Sequence, residues 1–340
     1  MATLLFDLNQ KMFTGEFMRL PFSCEAESMT FSVHDAEGMI FAQTYYPDAG
    51  HNVVIYDLDK LLEAHIDGIC APFSFRLDGT VLRTVTVFVC RTAVTERAQT
   101  FCPDFFFTAA TGERDTAPGR HEMLTYYNDP VTPVRVECTY LGAYGKVSVK
   151  IASLPPASRG IAEINVSPDR FRDAAAGRLL SYIVRAGQRK AAYRVLPSAP
   201  EADPALIFRN AFGCWETIYL TGARQTAPAY TRSTALIEGE SRVYDIAETM
   251  SYKAHTGPLR PGMVPVALDL ARAKEVYLLT KDGGLGDALT VTDADVKHTN
   301  EDNAIPDFEI TYRRSSRRSA MLAAPRPPRL FDDTFDDTHE

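Results

Sequence analysis

Val134-Arg-Val-Glu-Cys-Thr-Tyr140, a turn carrying Gly142 and Gly145, then Lys146-Val-Ser-Val-Lys-Ile151: in both runs apolar and polar residues alternate with period two. That alternation is the signature of half-buried antiparallel strands, and the glycines between the runs predict a hairpin with one face on a core. The runs after it keep the same character. Gly160-Ile-Ala-Glu-Ile-Asn-Val166 is a strand, Ser167 is placed to cap a helix over 168–175 with Pro168 at its first position, and Ser181-Tyr-Ile-Val-Arg185 turns at Ala186-Gly187 into Ala191-Ala-Tyr-Arg-Val195.

The same order of elements precedes it. Met29-Thr-Phe-Ser-Val-His-Asp35 turns at Ala36-Glu-Gly38 into Met39-Ile-Phe-Ala-Gln-Thr-Tyr45. Asn52-Val-Val-Ile-Tyr56 then leads to Asp57, a candidate N-cap for a short helix over 58–65, and two strands follow around the turn Asp78-Gly79. Asp57-x-Asp59-Lys60-Leu61 thus corresponds to Ser167-x-Asp169-Arg170-Phe171, and Gly79 to Gly187. An internal duplication over 29–91 and 134–196 accounts for the match; convergence of two sandwich domains is the alternative.

Pro197-Ser-Ala-Pro-Glu-Ala-Asp-Pro204 reads as a linker. Beyond it come strands at 205–208 and 214–220, two long strands over 229–238 and 241–255 joined at Glu238-Gly-Glu240, and a helix over 263–273 with Val264, Ala267, Leu268 and Ala271 on one face. The strands Glu275-Val-Tyr-Leu-Leu-Thr280, Ala288-Leu-Thr-Val291, 295–299 and Phe308-Glu-Ile-Thr-Tyr312 complete the unit. After Arg313 the chain is basic, then proline-rich, then acidic, with no periodic apolar face. The fold class expected is mainly β: tandem antiparallel β-sandwich-like domains with a few short helices. Residues 1–105 form the first sandwich, 106–200 the second, 201–315 a C-terminal β-rich α+β domain, and 316–340 a flexible tail or arm.

Composition narrows the function. Lys and Arg number 36 against 44 Asp and Glu, a formal charge of −8, the wrong sign for a protein whose main work is neutralising nucleic-acid phosphates or anionic lipid. No window approaches a membrane-spanning length, and Met1-Ala-Thr-Leu-Leu-Phe-Asp7 lacks the basic start of a signal peptide. The six cysteines, at 24, 70, 90, 102, 138 and 214, show no C-x-x-C pairing and read as reduced core thiols of a protein made in the cytoplasm.

Chemistry is sparse. There is no G-x-S-x-G, H-E-x-x-H or phosphate-loop motif, and Gly283-Gly284-Leu285-Gly286 lies between strands, which makes it a hairpin turn. The seven histidines never fall at metal-ligand spacing, so no metal or cofactor is expected. Glu238/Glu240 and Asp35/Glu37 would serve a glycosidase only if two carboxylates faced one groove; as turn acids they are solvated. Trp215, the single tryptophan, is read as a core or interface anchor. Phe105-Phe-Phe107 and Tyr126-Tyr127 serve either packing between consecutive sandwiches or a subunit interface. In the tail, Leu330, Phe331 and Phe335 are candidate anchors for an arm that orders on a neighbouring subunit.

Several segments resemble a family of prophage-encoded phage tail and baseplate structural proteins of distal-tail-like character. They are Phe212-Gly-Cys-Trp-Glu-Thr-Ile-Tyr219-Leu-Thr-Gly222, Tyr252-Lys-Ala-His-Thr-Gly-Pro-Leu259, Ala273-Lys-Glu-Val-Tyr-Leu-Leu279 and Asp307-Phe-Glu-Ile-Thr-Tyr312-Arg. Tyr46-Pro-Asp-Ala-Gly50, Val54-Ile-Tyr-Asp-Leu58 and Phe101-Cys-Pro-Asp-Phe-Phe-Phe-Thr108 fit the same pattern, so the resemblance runs over 1–315. It implies a non-enzymatic virion component, made in the host cytoplasm, sited near the tube end or baseplate. Its partners would be itself, in a hexameric or trimeric ring-like homo-oligomer, and other tail or baseplate proteins. The alternative function is a carbohydrate- or receptor-binding sandwich module meeting a cell-surface glycan.

Overall fold

The computed structural model describes residues 2–155, 157–198, 204–237, 239–297 and 305–315. Pro156, most of the predicted linker, Glu238, His298 and the whole segment from 316 onward lie outside the described residues.

The N-terminal unit contains β1 (Ala2–Leu4), β2 (Lys11–Phe13), β3 (Arg19–Cys24), β4 (Met29–His34), β5 (Met39–Tyr45), β6 (Asn52–Tyr56), α1 (Leu58–Ala64), β7 (Cys70–Leu77) and β8 (Thr80–Phe88). Its five-stranded sheet has the order β5-β4-β7-β8-β2, and a three-stranded sheet β1-β3-β6 covers one face. The alternation read in the sequence is what fills the space between them. Phe31, Val33, Phe73, Phe75, Val85 and Val87 from one sheet meet Leu20, Phe22, Val53 and Ile55 from the other. The predicted hairpin closes because the Asp35 carboxylate accepts the N–H groups of Glu37 and Gly38, at 2.8 and 2.9 Å.

After α2 (Ala98–Asp104) come β9 (Glu113–Thr116), β10 (Met123–Asn128), β11 (Val134–Leu141), β12 (Val147–Ser153), β13 (Gly160–Asn165), β14 (Arg178–Ala186) and β15 (Arg189–Val195). The five-stranded sheet here is β12-β11-β14-β15-β9, against a two-stranded β10-β13 layer. Strand for strand this is the order of the first unit, down to a final strand that runs parallel to its neighbour: β2 with β8, β9 with β15. The layers differ in that, among the described residues, the second unit has no counterpart of β1.

Both predicted helix caps need correction. Asp57 precedes α1 in a left-handed conformation (φ 59°), which turns its carboxylate away from the first-turn N–H groups; it makes no capping bond and pairs with Lys60 at 3.5 Å. The helix expected over 168–175 is a single 3-10 turn, Pro168–Phe171, closed off by an extended Arg172. Ser167 does not cap it: its hydroxyl accepts the N–H of Glu122 at 3.0 Å. The turn is held from the sheet, where Tyr140 and Tyr182 donate to the carbonyls of Phe171 and Val166.

The third unit is one seven-stranded sheet with a helix. It comprises β16 (Ala205–Arg209), β17 (Trp215–Tyr219), β18 (Arg224–Ile237), β19 (Glu240–His255), α3 (Val264–Arg272), β20 (Val276–Leu279), β21 (Leu285–Lys297) and β22 (Asp307–Arg314), in the order β17-β16-β20-β21-β22-β19-β18. The helix presents Val266, Ala267 and Leu270 to Leu206, Phe208, Ile218 and Phe308. Leu268 and Ala271, expected on that face, are only half-buried; Val266, Asp269 and Leu270 take the inner positions.

The three units meet around a separate apolar cluster of Phe13, Phe88, Phe101, Phe107, Phe212 and Cys214, flanked by Tyr127. Phe101 stacks on Phe107 and Phe212, and Tyr127 stands edge-on to Phe88 at 5.1 Å. Phe106 and Tyr126 belong to the second unit's own core. Phe107 and Tyr127 thus pack between the units, Phe106 and Tyr126 pack inside the second unit, and Phe105 is exposed.

Candidate assembly surface

β18 and β19 pair along their full length, from Arg224 opposite Ala254 to Ile237 opposite Glu240. β19 is bonded to β22 only over Tyr252–His255. Among the described residues no third strand pairs with them beyond Met250, which leaves a ribbon of about ten residues per strand and about 30 Å. A free two-stranded ribbon is marginal in water, and each of its edges carries a row of open N–H and C=O groups.

The ribbon has two unlike faces. Residues opposite one another share a face, so Tyr230 lies with Glu248 and Arg232 with Ile246; a register shift after Ser233 then carries Thr234 with Val243 and Leu236 with Ser241. That face carries four exposed large apolar side chains, Tyr230, Leu236 (79% exposed), Val243 and Ile246, interspersed with Arg232, Glu248, Thr234 and Ser241. The other face carries the small residues Ala229, Thr231, Ser233, Ala247 and Thr249 and, nearer the tip, Asp245, Arg242 and Glu240. The charges also divide: β18 carries Arg224 and Arg232 and no acid, while the outer part of β19 carries Glu240, Asp245 and Glu248 against Arg242.

A buried polar joint ties the second unit to β17, at the edge of the seven-stranded sheet opposite the ribbon. Arg114 on β9 reaches Glu216 on β17, Nη1 to Oε1, at 3.3 Å. The Thr108 hydroxyl donates to the same carboxylate and accepts from Arg114, at 2.5 and 2.6 Å, and Asn210 donates to Glu216 Oε2 and to the Phe107 carbonyl, both at 2.9 Å. Beside them the buried carboxyl of Glu122 accepts from Thr116 at 2.9 Å. Burial pushes its pKa up to about 7, against the pull of Arg114. Each of these side chains has a polar partner, and Arg114, Thr108, Asn210 and Glu216 link the second unit to the third, so the cluster acts as a strut. A second strut, Arg260, bridges Glu113 and Asp115 at 2.9 Å each, and the turn at Gly283 rests on the His121 ring, whose Nε2 lies 2.9 Å from the Lys281 carbonyl oxygen.

Trp215 stands half-buried on the edge strand β17, with the Arg209 guanidinium 3.9 Å over its ring and Tyr277 edge-on at 5.9 Å. Leu330, Phe331 and Phe335 lie outside the described residues, as does Glu238. Glu240 is exposed and pairs with Arg242 at 3.3 Å, and Asp35 is spent on its turn, 3.5 Å from His65. The thiols of Cys70, Cys90 and Cys102 are pushed up by burial, to about 11, 11 and 12. Among the described residues no three His, Cys, Asp or Glu side chains are grouped to hold a metal ion, and no helix is long and apolar enough to cross a membrane.

The sequence reading missed both the ribbon's isolation and the joint. Two long alternating strands look the same whether or not a third strand lies beside them. Arg114, Glu122 and Glu216 carry no local signal at all, because their partners come from distant segments.

No family model matches the chain. No curated protein matches it either. Among solved structures, it is similar to a chain of the virion of a native gene transfer agent particle, with 13% identity over 35% of this chain and 95% of that one and a TM-score of 0.23. A chain from the tail of an empty gene transfer agent particle of C6 symmetry shows 11% identity over 34% and 92%, with a TM-score of 0.23.

Proposed function

We propose that this chain is a non-enzymatic structural protein of a phage tail or phage-tail-like apparatus, which assembles with copies of itself and with neighbouring proteins. The observation that carries the reading is the β18–β19 ribbon: exposed apolar side chains (Tyr230, Leu236, Val243, Ile246) and two open strand edges held out from a well-packed body. A monomer gains nothing from that exposure, whereas a neighbour that covers it removes both the open edges and the apolar surface. The sequence resemblance supports the placement near a tube end or baseplate, in the virion.

The charge division supports a head-to-tail contact. In the ribbon, β18 carries Arg232 and no acid while β19 carries Glu240, Asp245 and Glu248, so the β18 side of one copy suits the β19 side of the next. A contact between two different surfaces of identical subunits, repeated around an axis, closes a ring.

Light scattering on the purified protein tests this, alongside a Leu236→Asp/Ile246→Asp variant. The expected outcome is a closed oligomer for the native chain and a monomer for the variant, with unchanged circular dichroism. A native chain that stays monomeric at high concentration overturns self-assembly, and glycan binding by that monomer would favour the receptor-binding alternative.

A further inference from the structure

The second unit has a cleft of about 200 Å³ where the Pro168 turn meets the start of β14. Pro118, Pro168, Leu179 and Val195 give it apolar walls, and Arg172 and Arg178, both exposed, also line it. The one acid in the lining, Asp169, is already engaged: it accepts the Gly119 N–H at 3.0 Å and pairs with Arg172 at 2.7 Å. Arg178 makes no ion pair among the described residues. The cleft is smaller than the roughly 300–1,000 Å³ of small-molecule sites and is closer to a socket for one large side chain of a peptide.

We propose that this cleft seats the chain's own C-terminal segment, with Phe331 as the anchor and the aspartates after it set against Arg172 and Arg178. Two observations favour this occupant. The first is chemical complementarity: Leu330-Phe331-Asp-Asp333 and Phe335-Asp-Asp337 put apolar anchors directly beside carboxylates, the match of an apolar socket with an arginine rim.

The second is where the described chain ends. Ser315 donates to the Ala288 carbonyl at 2.9 Å, on the hairpin whose Gly283 turn touches His121, and His121 follows closely on Pro118 in the cleft wall. Along strand and loop that route is about 30 Å. The chain from Ser315 to Phe331 spans up to about 50 Å when extended, so the segment reaches the cleft of its own subunit. The inference stands apart from the assembly reading, since a monomer would serve to test it.

The experiment uses the full-length protein with Phe331 replaced by the photoreactive p-benzoyl-phenylalanine, irradiated as an equal mixture of light- and heavy-isotope chains and mapped by mass spectrometry. The expected result is a cross-link to residues 168–179 or 195–197 within same-isotope chains. Arg172→Glu/Arg178→Glu should lower its yield at least about fivefold, and adding Asp332→Lys/Asp333→Lys should restore it. Because Arg172 and Arg178 are exposed, the charge reversal leaves the fold intact, which circular dichroism checks. Cross-links confined to other surfaces, cross-links found only between mixed-isotope chains, or a yield indifferent to both charge reversals would each overturn the proposal. So would saturation of the cleft by inorganic phosphate with no peptide cross-link.

Discussion

Arg114 on β9 and Glu216 on β17 lie 3.3 Å apart with side chains only 7% and 4% exposed, so an ion pair is buried where the second unit meets the third. Desolvating two charges is costly, and the pair is tolerated because Thr108 and Asn210 satisfy the remaining oxygens. Breaking it should matter more than making it: Glu216→Ala strands a buried guanidinium and is expected to cost about 3–5 kcal/mol. Urea unfolding of Glu216→Ala, Arg114→Ala and the double variant checks this. A double variant no worse than either single one is the signature of a coupled pair.

Glu122 makes stability depend on pH in an unusual direction. Its carboxyl titrates near 7 when folded against an ordinary 4.5, so the folded state holds the proton more tightly. The stabilisation is therefore fully present below about pH 4.5 and is lost as pH rises through 7, a change on the order of 3 kcal/mol. Asp35, Asp48 and Asp173, all held low by hydrogen bonds, act in the opposite sense at more acid pH. The difference between wild type and Glu122→Gln isolates the effect: native stability should fall relative to the variant between pH 4.5 and 7.

The ribbon contributes exposure and no core. Replacing 230–248 with a two-residue Asn-Gly turn is expected to leave the thermal midpoint within about 2 °C of the native subunit while abolishing self-association. Calorimetry and light scattering on one sample check both halves.

Gly177 marks a close approach of backbones. Its φ is +103°, and an added Cβ would stand 2.2 Å from the Leu141 carbonyl oxygen. Gly177→Ala should cost about 2 kcal/mol or more, beyond the usual penalty for a side chain at positive φ. Chemical denaturation would measure the loss.

Buried thiols should be inert in the native protein. With Cys90 and Cys102 buried and their thiols raised to about 11 and 12, alkylation at pH 8 is expected to be slow until denaturant is added. Half-buried Cys70 is raised to about 11 as well, so exposure without a thiolate should not make it fast. Mass spectrometry of partially labelled protein gives the order of reaction.

Some of this was visible in one dimension because it is local. Alternation sets which face of β4, β7, β11 and β14 is buried, and the Asp35 turn closes through its own side chain. Other elements were invisible for the same reason. α2, with Pro103 inside it, is assigned no element from the sequence; it is a helix whose Ala98, Phe101 and Cys102 are buried in the junction. β2 and β9, three and four residues long, carry no period of their own and exist only as parallel additions to β8 and β15. Asp57 and Ser167 had the right chemistry to cap a helix, yet backbone conformation and a competing partner decided otherwise.

The sequence by itself determined a β-rich chain in which two successive units repeat one order of strands, since side-chain period and turn chemistry act between near neighbours. Only the tertiary structure decided that the third unit is one long sheet whose last two strands extend beyond every other described strand as a ribbon. It alone brought Arg114 to Glu216 and set Phe107 into the junction of the units. Those outcomes depend on which distant strand lies alongside, and a pairing between strands is a property of the folded chain as a whole.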